Sequence, residues 1–209
     1  MGAEWFRRLG DMPGVDYAPP VPVDRARIPG HDVQPEVRPY PNIRGEQDTL
    51  VSWNWGTSDW APVRQNLERV NETTPTPQFL KLLWEALELP GEPRDYHWVL
   101  GPALERLWAC RATEPEVLVT VESLAWVHVR LALAFPRECW ILFRPLDEST
   151  DRYRRPAGFE TLLRLYRTEG FLRSAFEVAE LEARHFPVEG DDLADLRSRI
   201  ELVGAESGS

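Results

Sequence analysis

The chain has little cysteine and almost no lysine. Its 2 cysteines, Cys110 and Cys139, form no Cys-x-x-Cys pair and have no local histidine at metal-ligand spacing. This pattern excludes a disulfide-stapled secreted scaffold, and the N-terminus lacks the apolar stretch of a signal peptide, so we expect a cytoplasmic protein. Lys81 is the only lysine among 24 Lys and Arg residues, a bias that says nothing about reaction chemistry.

Positive charge is also scarce, since the formal net charge is −10. Phosphate recognition depends on clustered Lys and Arg residues that release counterions, so the sequence predicts no nucleic-acid partner. The one basic cluster, Arg152, Arg154 and Arg155, lies beside Pro156 and is interpreted as a solvated linker.

Motifs that carry catalytic or metal chemistry are lacking. The 4 histidines are scattered without mutual helical spacing, and no Gly-rich phosphate loop, serine elbow or paired-aspartate motif occurs. The sequence therefore predicts no catalytic residue, no metal site and no cofactor. His97 is the best candidate for a titrating group, and Cys110 assisted by His97 or His128 stays open because such pairs need only spatial proximity. We nevertheless expect His128 and Cys110 to be buried core residues.

A single stretch, residues 116–135, is long and apolar enough to raise the question of a membrane span. Glu122, His128 and Arg130 fall in its middle, where charge is costly in hydrocarbon. We interpret it as the core helix of a soluble protein and predict no membrane partner.

Proline is concentrated at the N-terminus, where it recurs through residues 13–41. Each proline removes a backbone donor and biases the preceding residue toward extended geometry. We therefore expect residues 1–49 to form an extended arm of polyproline II and turns, poor in burial, that is either disordered or laid along a surface of this chain or of a partner.

Tryptophan is abundant, with 9 in the chain, and three of them follow the arm. In an extended segment Val51, Trp53 and Trp55 share one face, and Trp60 lies a few residues on. Two interpretations stay open: these indoles pin residues 40–60 onto the helical body, or they form a site for a partner.

From about residue 57 the apolar spacing becomes helical and continues to residue 203. The fold class predicted is mainly α, an irregular helical bundle over residues 50–203, with residues 204–209 as a disordered tail. Helices are expected over 61–71, 77–89 with Thr76 as the N-cap, 102–111, 115–135 and 191–203, with a helical hairpin over 156–187. Glu177, Glu180 and Glu182 are assigned to a solvated face of that hairpin.

The hairpin, PAGFETLLRLYRTEGFLRSAFEVAELEARHFP, resembles a single tetratricopeptide unit, a 34-residue helix-turn-helix repeat. The matching residues are an aromatic, a leucine, a tyrosine, a turn glycine, a small residue and a terminal proline: Phe159, Leu162, Tyr166, Gly170, Ala175 and Pro187. Leu163 and Glu182 depart from the pattern, which has small residues there. No second copy occurs upstream, so the resemblance implies one hairpin and not a solenoid.

Taken together, these features favour a non-catalytic protein-protein interaction or assembly module. Its partner is expected to be another protein or a sister subunit, contacted through Trp53, Trp55, Trp60 and Tyr166. Two alternatives remain: a small helical enzyme with a pocket near His97, and an acidic inhibitor or immunity-type protein that occupies a basic site on its target.

Overall fold

A computed structural model describes residues 4–41, 47–56, 58–139, 155–186 and 192–206. Within these ranges the chain is mainly helical, with one two-stranded sheet, and the prediction of a mainly α helical bundle is confirmed. The chain divides into two compact units, Met1–Ala103 and Leu104–Ser209.

The first unit contains an antiparallel hairpin followed by helices. Strands β1 (Glu36–Pro41) and β2 (Gln47–Ser52) precede α1 (Pro62–Gln65), α2 (Thr76–Leu87) and the beginning of α3 (Pro93–Cys110). Helix α1 is one turn long, much shorter than the helix predicted over 61–71. Helix α2 begins at Thr76, one residue before the predicted start at Pro77, and buries an apolar face that includes Phe79, Leu83, Trp84 and Leu87.

The N-terminal arm lies along its own unit, and the prediction that it is poor in burial is wrong. Leu9, Met12, Val15 and Ile28 are all buried. Phe6 pairs with Gly91 through two backbone hydrogen bonds, whose N···O distances are 2.9 and 3.0 Å. Prolines restrict the backbone of this segment, but the apolar side chains between them still supply the burial that orders it.

Residues 36–41 form a strand and not the polyproline II segment expected. In the register of the hairpin Val37 lies opposite Val51, and Pro39 lies opposite Thr49. A two-stranded sheet consists only of edge strands, so each strand has an outer side whose N–H groups need no partner strand. That is why prolines are tolerated within β1.

Helix α3 begins at Pro93, nine residues before the predicted start at Pro102. Pro90, Gly91 and Pro93 prevent α2 from continuing, and Pro93 also suits a first helical turn because its missing N–H has no partner there. Pro102 lies inside the helix.

The second unit contains the end of α3 and five further helices: α4 (Val117–Ala134), α5 (Pro136–Cys139), α6 (Ala157–Thr168), α7 (Leu172–His185) and α8 (Asp192–Glu206). Helix α4 is its central element and packs against α5 and α6. Its His128 is buried, as predicted. Among the described residues, α4 is the one helix long and apolar enough to cross a membrane; half of it is buried, which is compatible with a soluble protein.

Helices α6 and α7 form the predicted hairpin, and α8 packs on α7. Gly170, at φ +79°, lies in the turn between α6 and α7, where an L side chain would be strained. Ala175 and Ala179 are buried, as their small size predicts for a close helix contact. The predicted tail overlaps α8, whose backbone stays helical to Glu206; residues 207–209 lie outside the described residues.

Helix α6 approaches helix α4 closely at Gly158. A Cβ atom at residue 158 would lie 2.6 Å from the carbonyl oxygen of Ala125 and 3.0 Å from the backbone nitrogen of Val129. Both atoms belong to helix backbone and cannot rotate away. The sequence Pro-Ala-Gly therefore places a glycine where only hydrogen fits.

Substitution Gly158→Ala is expected to lower the free energy of unfolding by about 1 to 3 kcal/mol, because overpacking exceeds the gain in helix propensity of about 1 kcal/mol. Urea denaturation followed by circular dichroism measures the change. Glu160→Ala, at an exposed position of the same helix, is the control and is expected to stay within about 0.5 kcal/mol of the parent. Equal stability of the two variants would contradict the close approach.

Candidate functional site

The chain after β2 turns sharply at Gly56 and is held by the side chain of Gln65. The Gln65 amide nitrogen lies 2.7 Å from the carbonyl oxygen of Trp55, 3.2 Å from that of Ser58 and 2.6 Å from that of Trp60. Gly56 has φ +69°, and a Cβ there would collide with the Gln65 amide oxygen. One buried amide thus fixes the course of the segment that carries Trp55 and Trp60.

The structure separates the three predicted indoles. Trp53 is 2% exposed, and its ring meets that of Trp5 edge to face at 6.0 Å between centroids. Trp55 is half-buried and lies against Gly30, where a Cβ would come within 2.7 Å of the indole. Both indoles therefore pack on the N-terminal arm and not on the helical body to which the pinning interpretation assigned them.

Trp60 is different, because 48% of it is exposed. The guanidinium carbon of Arg64 lies 4.1 Å from the centroid of the Trp60 ring and 5.9 Å from that of Trp98, which is 42% exposed. We call Trp60, Arg64 and Trp98 the Trp60–Trp98 surface. A guanidinium between two indole rings gains cation–π attraction to both, which orders the three side chains.

Asp95 connects this surface to the start of α3. Its carboxylate accepts a hydrogen bond from the backbone N–H of Glu92 at 3.0 Å and lies 3.7 Å from the guanidinium of Arg64. Burial raises the pKa of the Asp95 carboxyl, although the Glu92 amide and Arg64 act in the opposite direction. The Arg64 side chain is thus held from one side by a buried acid while its flat faces lie near the two indoles.

Tyr166, the fourth predicted contact residue, is only 9% exposed and is used inside the second unit. Its hydroxyl donates to a Glu122 carboxylate oxygen at 2.6 Å and accepts from the Trp126 indole N–H at 3.1 Å. Burial, assisted by Glu122, raises the pKa of the Tyr166 hydroxyl. Glu122 and Trp126 of α4 therefore face α6, and Tyr166 joins the two helices.

The residues weighed for chemistry are placed as follows. His97 is half-buried on α3, and the centroid of its ring lies 6.2 Å from that of Trp98. Cys110 is half-buried near the end of the same helix, so the expectation that this thiol is fully buried is wrong. Cys139 is buried, which raises the pKa of its thiol well above the usual value. Among the described residues no three His, Cys, Asp or Glu side chains group as metal ligands.

Two charged residues were assigned wrongly to solvent. Glu182 is 1% exposed, and its carboxylate lies 2.8 Å from the guanidinium of Arg155. Arg155 also bonds Asp192 at 2.7 Å, and Asp192 bonds Arg167 at 2.8 Å. These pairs link the hairpin to α8. Arg152 and Arg154, the other members of the basic cluster, lie outside the described residues.

Trp98 and Arg64 were not identified by sequence reasoning. The four-residue spacing of Trp60 and Arg64 was a usable signal, because that spacing places side chains together at the start of a helix. The proximity of Trp98 depends on the approach of Arg64 on α1 to Trp98 and Asp95 on α3, which local spacing does not encode.

Comparison with known proteins adds no relative: no family model, no curated protein and no solved structure matches this chain. The structure contains the helical hairpin. Because no relative matches, its resemblance to a tetratricopeptide unit stays a prediction.

Replacing Gln65 by Glu tests whether its amide holds the loop. A carboxylate of the same shape cannot donate to the three carbonyl oxygens and repels them, so the free energy of unfolding is expected to fall by about 2 to 3 kcal/mol at neutral pH. Denaturant titration measures the loss. The matched control is Gln78→Glu, at an exposed position on α2, where a change within about 0.5 kcal/mol is expected.

Asp192→Asn tests the link between the hairpin and α8. Although burial disfavours the charged form, hydrogen bonds from Arg167 and Arg155 outweigh it and lower the pKa of the Asp192 carboxyl. This group stabilises the fold above its unfolded pKa of about 3.9, and the contribution is lost as pH falls through the lower folded pKa. We expect the variant to lose about 1 to 2 kcal/mol at pH 7, and the difference from the parent to shrink in acid.

Chemical denaturation at a series of pH values follows this difference. Asp195→Asn, at an acid that is 46% exposed on the same helix, provides the comparison, because Asp195 lies 4.0 Å from Arg167 and its closer ion pair is with the exposed Arg199. A pH-independent loss for Asp192→Asn would show that charge pairing is not the cause.

Proposed function

We propose that this chain is a non-catalytic protein-protein interaction module that contacts another protein or a sister subunit through the Trp60–Trp98 surface. The observation that carries the proposal is the pair of half-exposed indoles, Trp60 and Trp98, arranged around the guanidinium of Arg64. Tryptophan and arginine are the residue types most often responsible for binding energy at protein interfaces.

The rigidity of the site supports this use. Trp60 follows a loop whose carbonyl groups are bonded to Gln65, and Trp98 projects from a helix whose first turn is capped by Asp95. Side chains held in place before binding lose less conformational entropy when a partner covers them. Exposed indoles kept in fixed positions away from the core are therefore better explained by contact with a partner than by stability of the unit.

The other predicted contact residues have a supporting role in this proposal. Trp53 and Trp55 hold the arm and the loop, and Tyr166 joins α4 to α6, so none of the three is assigned to the partner surface. Cytoplasmic location remains part of the proposal, supported by two cysteines that are both free thiols.

The enzyme alternative receives less support. A cavity in the first unit lies between the arm and α2, and His97 does not line it. An active site near His97 would need acidic groups and a concave pocket around the imidazole. The ring that lies beside this imidazole is instead the indole of Trp98, which is not an acidic group.

Site-specific photocrosslinking tests the proposed surface. The photoreactive residue p-benzoylphenylalanine replaces Asp59, an exposed neighbour of Trp60, so both indoles stay intact. Crosslinks formed by the purified protein alone identify a sister subunit, and crosslinks formed only in host extract identify another protein. Trp98→Ala is expected to weaken the contact by about 2 kcal/mol and to remove most of the crosslinked product.

The control variant is Phe171→Ala, which removes an aromatic side chain of similar exposure from the second unit. Crosslinking should be unchanged in this variant. The proposal fails if no specific product forms, or if Trp98→Ala and Phe171→Ala give the same yield as the parent.

A further inference from the structure

A cavity of about 630 Å³ lies in the first unit between residues 21–29 of the arm and helix α2. Its volume falls within the range of roughly 300 to 1,000 Å³ typical of small-molecule sites. The residues that line it are separate from the Trp60–Trp98 surface, so the inference below does not rest on the proposed function.

The walls of the cavity are apolar. Ile28 and Val21 come from the arm, and Leu80 and Trp84 come from α2. Trp84 and Ile28 are largely buried in the fold, whereas Val21 is 49% exposed at the margin. A ligand with an apolar body would therefore cover the hydrocarbon of Val21 and Leu80 that water now contacts, and would pack on the small part of Trp84 that stays accessible.

The rim carries more positive than negative charge, in contrast to the chain as a whole. Arg27, Arg69 and Lys81 are the cations, and Lys81 is the only lysine in the sequence. Asp24 lies 2.9 Å from Arg27, and Glu85 lies 3.9 Å from Lys81.

Arg69 is the cation left over from these pairs: within the described residues it has no carboxylate or hydrogen-bond partner. One uncompensated guanidinium beside an apolar cavity is complementary to a ligand with one negative charge.

The backbone around the cavity argues for a small molecule and not an extended peptide. On the arm side, the amides of Arg25, Arg27 and Ile28 donate to carbonyl groups of the same segment. On the other side, the backbone of α2 is bonded within its helix. A peptide strand bound by main-chain hydrogen bonds needs a row of free donors and acceptors, and residues 25–28 of the arm and helix α2 supply no such row.

We propose that this cavity binds an amphipathic monocarboxylate, with the apolar chain against Leu80 and Trp84 and the carboxylate at the guanidinium of Arg69. Arginine suits this role because its fork of N–H groups can bond both carboxylate oxygens. The ligand would also lie against arm residues 21–29, so its binding would stabilise the arm on α2.

Titration with octanoate tests the site, followed by NMR of the tryptophan indole N–H groups of the full chain. The Trp84 resonance is assigned by its loss in Trp84→Phe. Octanoate is expected to shift the Trp84 resonance saturably. Acetate should leave the resonance unchanged because acetate lacks the apolar chain. Octan-1-ol should bind several-fold more weakly than octanoate because octan-1-ol lacks the charge. Arg69→Gln should weaken octanoate binding about five-fold, and Arg69→Glu further, without affecting octan-1-ol in the same way.

Arg173→Gln and Arg173→Glu, at an exposed arginine of α7, are the matched controls and should bind octanoate like the parent. The proposal is overturned if octanoate gives no saturable shift, if octan-1-ol binds as tightly, or if the Arg69 and Arg173 variants behave alike. The cavity would be assigned to peptides instead if the peptide acetyl-Asp-Leu-Asp-Leu-amide displaces octanoate at concentrations lower than those at which octanoate itself binds.

Discussion

The hydrogen bonding of the Gln65 amide is the interaction on which the candidate surface depends. Three carbonyl groups converge on one nitrogen, and Gly56 leaves the space that the amide oxygen occupies. Buried carbonyl groups need donors, so a loop that turns this sharply must be supplied with them from elsewhere in the fold. Because Gln65 lies on α1, next to Arg64, the same helical turn that fixes the loop also places the guanidinium beside Trp60.

The N-terminal arm shows that proline content and order are separate properties. Prolines exclude long helices and interior strands, and the described part of this segment has only two single-turn 3-10 helices, Leu9–Asp11 and Arg25–Arg27, and the edge strand β1. Order depends on burial, and the arm buries Leu9, Met12, Val15 and Ile28 while receiving Trp53 and Trp55 from the chain that follows. Composition identified the extended backbone, but it could not show that the surface covered by the arm belongs to its own unit.

Helices with a clear apolar face were predictable from local sequence, as α2, α4 and the α6–α7 hairpin show. What escaped prediction depends on partners distant in the chain. Glu182 has the spacing of a solvent-facing residue, yet it is buried because Arg155, 27 positions earlier, neutralises it. Trp98 escaped for the same reason, since its role depends on Arg64. The periodicity of a sequence indicates which face of one helix is apolar. It carries no information about which charged side chains form ion pairs with other segments of the chain.

The indoles show how this limit applies to function. Trp53, Trp55 and Trp60 lie within eight residues of sequence, and one argument about aromatic contact area applied equally to all of them. The fold assigns two of them to the arm and leaves the third half-exposed beside a cation. Because an indole stabilises a core and an interface by the same burial of apolar area, residue type alone cannot separate the two uses. The two uses are distinguished only by knowing which surfaces are already covered within the folded unit. In the proposed function, a partner would cover the surface that stays exposed, which includes Trp60 and Trp98.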